Sequence, residues 1–368
     1  MEATFDRSSL YEAVAAVTPA VQERSPKPVL QNMHVTAVGD DVVFSGLDLE
    51  AGVCIRAAVR PASLPRPGTA LVHGTRLAAI LRDASAQEVS IKVDGGKAEI
   101  KAGSSSFRLN TQDPSDYPEL PTFPRTGAAT VSGPKLAELI RRTCFAAAQE
   151  QGRYAINGVA LTVEKGQVEM AATDGKRLAV ARGPAEGGAK IDLCIVPPRM
   201  LAELRRIAQE VEEVSLAVGG GKLLAQAAGY LVAGNLIEGS YPAYAEMIPK
   251  RAKEAVRVKA SVLAGCLRQA AHLVPQESRA VVLRLAADKL TVEAKSAAIG
   301  EASIEIPVAY SGAAMALAFN PWFFLDILPE FGEEDIALEA EDPDRPAVIR
   351  RDDYVYVVAP IKLREGQA

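Results

Sequence analysis

RLAAILR (76–82), KLAELIRR (135–142), MLAELRR (200–206) and VLAGCLRQ (262–269) are four versions of one segment. Each has leucine-alanine near its start, apolar residues at helical spacing and an arginine near its end. SLYEAVAAV (9–17) is a weaker copy and FFLDIL (323–328) supplies a sixth. The anchoring leucines form two interleaved series. Leu77, Leu201 and Leu325 are 124 residues apart in both steps, and Leu10, Leu136 and Leu263 are 126 and 127 apart. A recurrence of that length fills the chain three times.

Strand patterns keep the same step. Val159, Leu161 and Val163 alternate with polar neighbours, turn at Lys165-Gly166, and resume at Val168 and Met170, which predicts a β-hairpin. Equivalent hairpins begin near Val35 and Val281, and a second series begins near Val89, Val214 and Ile336. Tyr117-Pro118 and Tyr241-Pro242 recur 124 apart, each near the end of a unit. Chance explains any one match, but not helices, hairpins and Tyr-Pro pairs at one shared period. The expected fold class is α+β: three tandem similar domains, each with two helices and mostly antiparallel sheets. The stretches DYPELPTFPRTGAAT and IPKRAKEA interrupt the periodicity, so the domains are expected at 1–124, 125–250 and 251–368.

The chain has 368 residues, 48% of them hydrophobic, enough for several cores. Cys54, Cys144, Cys194 and Cys266 are scattered away from His34, His73 and His272, which argues against a disulfide framework or a metal site. With no signal layout and no long apolar run, a cytoplasmic protein without membrane contact is expected. The formal charge of −5, from 41 Lys+Arg and 46 Asp+Glu, excludes wholesale nonspecific attraction to nucleic acid but leaves one face free to be basic.

Helical spacing concentrates the cations. Lys135 and Arg142 are seven apart, opposite a stripe of Leu136, Leu139 and Ile140, and Arg199 and Arg206 repeat the arrangement opposite Leu201 and Leu204. Arg141 and Arg205 broaden each patch; Arg76, Arg82, Lys259 and Arg268 add charge on or beside related helices, and Arg24 joins the candidate set. An ordinary solvated face explains any single pair, whereas recurrence at equivalent positions suggests a lining for phosphates that reads no bases. The copy NPWFFLDILPEFGEED departs, carrying Asp326, Glu330, Glu333 and Glu334 and no cation.

No catalytic constellation is present. GGGK (219–222) lacks the spacing of a phosphate loop and lies between two strand patterns, so it is read as a hairpin turn, and Asp174-Gly175 is read as a turn as well. The expectation is a protein that is not an enzyme and needs no cofactor or metal. The residues alone leave three readings: a ring that surrounds DNA, a monomeric repeat scaffold binding only proteins, and an enzyme of unrecognised type.

RYAINGVALTVEKGQVEMAATDGKRLAV (153–180), FRLNTQDPSDYPELP (107–121), GSYPAYAEMIP (239–249) and YVVAPIKL (356–363) resemble, in order, the corresponding parts of bacterial DNA polymerase III beta subunits, the sliding clamps. The resemblance implies the DNA-clamp fold and a head-to-tail, ring-shaped homodimer around duplex DNA. It also implies partnership with a clamp loader, a replicative polymerase and other proteins bearing clamp-binding peptides. A peptide-binding pocket is carried over by the same resemblance, onto Ile156, Thr173, Gly175, Lys176, Arg177, Leu178, Pro242, Met247, Asn320, Phe323, Val357, Val358, Ala359, Pro360, Ile361 and Leu363. Within it, Ile156, Leu178, Met247, Val357 and Pro360 would contact client side chains, and Arg177 and Asn320 would orient the peptide backbone.

Overall fold

Six α-helices form among the described residues of a computed structural model, which are 1–150, 152, 154–274, 279–296 and 298–362. They are α1 (Arg7–Val17), α2 (Gly74–Asp83), α3 (Gly133–Thr143), α4 (Pro198–Ala208), α5 (Ala260–Ala271) and α6 (Pro321–Leu325). All six lie where the leucine repeat puts them. Leu10, Leu77, Leu136, Leu201 and Leu263 are fully buried, each contributing about 1.5–3 kcal/mol of burial. The sixth copy is short. In α6 it is Phe324, not Leu325, that is fully buried, against Phe319 at 5.3 Å between ring centroids.

The chain divides into two compact units, one of Met1–Glu138, Thr162–Val168 and Pro184–Ile237, the other of Leu139–Leu161, Glu169–Gly183 and Glu238–Ala368. In the first unit a sheet runs in the order Ala129–Ser132, Glu213–Gly219, Lys222–Ala227, Tyr230–Asn235, Val53–Val59, Asp41–Asp48, Asn32–Val38 and Thr69–His73. Its middle seam pairs Val232 with Ile55, so strands of the first and second repeats share one antiparallel sheet. A second sheet runs Ser63–Arg66, Glu2–Asp6, Glu88–Asp94, Lys97–Ala102 and Ser105–Asn110. Phe5 of this sheet meets Phe44 of the larger one edge-on at 5.9 Å.

The second unit repeats the plan. Arg177–Pro184 pairs antiparallel with Tyr354–Val358, joining strands of the second and third repeats, and the sheet continues through Ala347–Arg351 and Asp335–Glu339 to Ala255–Lys259. Its companion sheet runs Gly300–Pro307, Lys289–Ser296, Val281–Ala286 and Met315–Phe319.

Turn chemistry agrees with the sequence. Lys165 and Gly166 take φ of +52° and +74°, and Gly220 and Gly221 take +58° and +70° between the paired ends Gly219 and Lys222. Positive φ at both central residues suits the twist of a two-residue hairpin and accounts for the glycines of GGGK.

Candidate functional site

The segment 173–177 folds back on itself before entering a strand. Gly175 takes φ of +83° and donates its N–H to Thr173 Oγ1 at 3.0 Å, while that hydroxyl donates to the Arg177 carbonyl at 2.6 Å. Asp174 Oδ1 accepts the N–H groups of Lys176 and Arg177 at 2.9 and 3.0 Å, the Asx-type closure expected of Asp-Gly. From the end of this turn the Arg177 side chain is held on every side. Its Nε donates to Asp174 Oδ2 at 3.1 Å, Nη1 to Asp326, and Nη2 to the Phe145 carbonyl at 2.8 Å. The guanidinium also lies 5.2 Å from the Phe145 ring centroid and 4.7 Å from that of Phe323. Burial opposes its charge, but Tyr356, Asp326 and Asp174 more than offset that, holding its pKa above the ordinary value.

Phe323 is fixed from its other side by the start of α6. Asn320 is the N-cap: its Oδ1 accepts the Trp322 N–H at 3.1 Å, and its carbonyl accepts the Phe323 N–H at 3.2 Å. Tyr356 donates its hydroxyl to the Phe323 carbonyl at 2.7 Å. The segment 359–361 is strapped at both ends, with Ala359 N–H on the carbonyl of Lys176 in the turn at 2.8 Å and Ile361 N–H on the carbonyl of Ala318 in the strand Met315–Phe319 at 2.7 Å. Between these elements lies a cavity of about 660 Å³, lined by Asp174, Lys176, Arg279, Asn320, Phe323, Ala359, Pro360 and Ile361.

Of the residues carried over to a pocket, Lys176, Asn320, Phe323, Ala359, Pro360 and Ile361 therefore converge on one cavity. Thr173, Leu178, Val357 and Val358 do not reach it as accessible contacts, because all four are buried. Leu178, 2% exposed, packs with Ala171, Val180, Tyr244, Val348 and Val357 in the core beneath. Leu178 and Val357 thus lie in the core beneath the cavity, behind its lining. Arg177 donates to protein from all three of its nitrogens, and the Asn320 Oδ1 is taken by the Trp322 N–H, so both residues help to fix Phe323. Ile156, Gly175, Pro242 and Met247 lie outside the cavity lining, with Met247 47% exposed. Leu363 falls outside the described residues. Two lining residues were not anticipated. Asp174 was visible only as a turn, and Arg279, in the left-handed region at φ of +48°, carried no signal in its neighbourhood.

The basic faces divide likewise. Arg24, Arg76, Arg82, Arg141, Arg199, Arg205, Arg206 and Arg268 are exposed, and Lys135 is half-buried beside Glu138 at 3.2 Å. Arg142 is 6% exposed and so cannot belong to a solvent-facing stripe. The reason is helical: it lies three residues after the buried Leu139, on the same side of α3. There its Nη1 approaches Asp353 at 3.5 Å and its Nε approaches Glu330 at 3.7 Å, with the guanidinium 5.5 Å from the Tyr354 ring centroid. This also explains the acidic sixth copy. Asp326 serves Arg177, Glu330 serves Arg141 and Arg142, Glu333 accepts from Ser261 at 3.0 Å, and Glu334 pairs with Arg351 at 3.1 Å.

Comparison with known proteins gives this architecture its class, the DNA polymerase sliding clamps. The sequence profiles of the N-terminal, central and C-terminal domains of the DNA polymerase III beta subunit match residues 1–121, 130–243 and 245–362. The beta sliding clamp of Pseudomonas putida is 30% identical over 370 residues, covering 99% of this chain and 100% of its own. That of Chlamydia muridarum is 27% identical over 372 residues, with coverage of 99% and 100%. Among solved structures, the Pseudomonas aeruginosa sliding clamp bound to griselimycin superposes with a TM-score of 0.93 at 29% identity, covering 99% of this chain and 100% of that one. The Caulobacter crescentus clamp gives 0.89 at 28% identity with the same coverage. This chain belongs to the DNA polymerase III beta subunit family. It has three tandem clamp domains and is a sliding clamp of DNA replication, a processivity factor rather than an enzyme.

Proposed function

We propose that the chain closes into a head-to-tail homodimeric ring around duplex DNA and receives peptides of the clamp loader, the replicative polymerase and other clients in the cavity at Phe323. In this reading it acts in the cytoplasm; no helix among the described residues is long and apolar enough to cross a membrane. Its domains are divided as 1–124, 125–250 and 251–368.

One observation carries the ring. Each larger sheet is shared between two repeats, and of the two end strands of each smaller sheet, Ser105–Asn110 in the first repeat and Gly300–Pro307 in the third have no outward strand partner among the described residues. An unpaired edge is a template for another chain. The first edge also presents Phe107, 38% exposed, beside a hollow lined by Ile80 and Leu109. Pairing the first edge of one copy with the last edge of the next satisfies both, and two copies close the circle.

In this ring Arg24, Arg76, Arg82, Lys135, Arg141, Arg199, Arg205, Arg206 and Arg268 face the phosphates. Several are tempered by carboxylates, as Arg199 is by Asp48 at 2.5 Å and Arg82 by Asp83 at 2.9 Å. Weak, sequence-blind contact of this kind holds a ring on DNA while letting it slide. Arg76 and Arg205 have no ion-pair partner among the described residues, so they offer a clean test. Reversing both to glutamate should shorten retention on circular DNA and lower the salt dependence by about one contact per residue, with unchanged thermal stability. Unaltered retention and salt response would remove these residues from the channel.

A further inference from the structure

Inside each compact unit two repeats meet, and the two junctions are built alike. In the second unit Arg177 pairs with Val358, the Ala359 N–H bonds the Lys176 carbonyl at 2.8 Å, and the Ile361 N–H bonds the Ala318 carbonyl at 2.7 Å. In the first unit Val53 pairs with Gly234, the Asn235 N–H bonds the Gly52 carbonyl at 2.9 Å, and the Ile237 N–H bonds the Ile195 carbonyl at 2.8 Å. The helices that follow this plan, α4 and α6, both open on proline, Pro198 and Pro321, and both bury their fourth residue fully, Leu201 and Phe324. The third residue differs. Phe323 is half-buried and stands over the Arg177 guanidinium, whose strand neighbour is the buried Val358. At the first junction those two strand positions hold the smaller Val53 and Gly234, and Met200 sinks into the space they leave. Its side chain is fully buried, and a Cβ added at Gly234 would overlap its sulfur.

We infer that the first junction is a second peptide site, closed by the chain's own Met200, and that a peptide anchored by a flexible apolar side chain such as leucine or methionine opens it by displacing that residue. The inference rests on the reading of the cavity at Phe323 as the client-peptide site. The surface over the hollow suits an extended peptide. Leu236 and Ile237 stand where Pro360 and Ile361 line the cavity, both are half-buried, and Leu49, on the turn leading to Val53, is 45% exposed. An unbranched thioether re-packs easily, so a change of rotamer at Met200 frees the space over Gly234 for an incoming side chain. Opening exposes an apolar side chain that is otherwise buried, which makes binding here about ten- to a hundred-fold weaker than at a site already open. The wild-type chain therefore takes one peptide tightly and a second only at high local concentration.

The test uses the full-length chain with Phe323→Ala throughout, so that the cavity of the second unit takes no part. A random peptide library is selected against this protein carrying Met200→Ala as well, which leaves the hollow unfilled. Peptides with a leucine or methionine anchor are expected. In fluorescence polarisation a synthetic winner should bind about ten- to a hundred-fold more weakly once Met200 is restored. It should not bind at all when Gly234→Val is added to the Met200→Ala protein, because the new side chain refills the hollow. That refilled variant should melt no lower than the hollow one, so its loss of binding cannot come from unfolding. If Met200→Ala does not stay folded, the smaller truncation Met200→Val serves in the same comparison. No peptide from the folded hollow protein, or peptides indifferent to Met200 and to Gly234→Val, would overturn the second site. The cavity reading would still stand if the wild-type chain selects peptides that Phe323→Ala no longer binds. A wild-type chain that selects none would overturn both.

Discussion

Replacing Arg142 with methionine should lower the stability of the unit that contains it by about 3–5 kcal/mol, the usual cost of removing one partner from a buried ionic cluster. The side chain is almost wholly enclosed, stacked near Tyr354 and flanked by Glu330 and Asp353. Glu330 is itself nearly buried and would keep only Arg141, which sits at the surface. Tyr354, whose hydroxyl donates to the Arg142 carbonyl at 3.1 Å, would lose the cation beside its ring. Urea unfolding followed by circular dichroism checks this, and a loss below about 1 kcal/mol would contradict the account of a buried cluster. The same geometry makes Arg142→Glu a poor probe of DNA contact. It would place three carboxylates together in the interior and abolish retention by unfolding the unit.

Phe323→Ala and Leu178→Ala should separate binding from folding. Phe323 lines the cavity and covers the Arg177 guanidinium, so its truncation should weaken a client peptide at least about ten-fold, the loss typical of a central aromatic anchor. Because Phe323 is only half-buried, the effect on melting should be small. Leu178 sits in the core beneath, on the strand paired with Tyr354–Val358. Leu178→Ala should remove about 2–5 kcal/mol of stability and affect peptides only through that loss. Fluorescence polarisation and thermal melting on both variants decide the matter. Equal affinity in Phe323→Ala, or an unchanged melting temperature in Leu178→Ala, would show that the wall and the floor have been exchanged.

The repeat was legible because it is local. Leucines at helical spacing, alternating strands and Gly-containing turns such as Lys165-Gly166 each depend on a few neighbouring residues, and their recurrence revealed three similar domains and six helices. What was not legible depends on partners far along the chain. Nothing within α3 shows that Arg142 meets Glu330 and Asp353, roughly two hundred residues away, so its spacing from Lys135 read as a surface stripe. Leu178 and Val357 face each other across a strand pair whose other side is core, a fact visible only once the second and third repeats share a sheet. Arg279 reaches the cavity through a left-handed backbone conformation that its sequence context does not announce.

A closed ring is held on DNA by its topology and not by tight contact. Light scattering of the purified protein, followed by retention on circular and linearised DNA after loading, tests it most directly. A particle of twice the 38.9 kDa chain mass that stays on circles and slides off linear ends is the predicted result. A monomer that binds both forms alike, or neither, would contradict it.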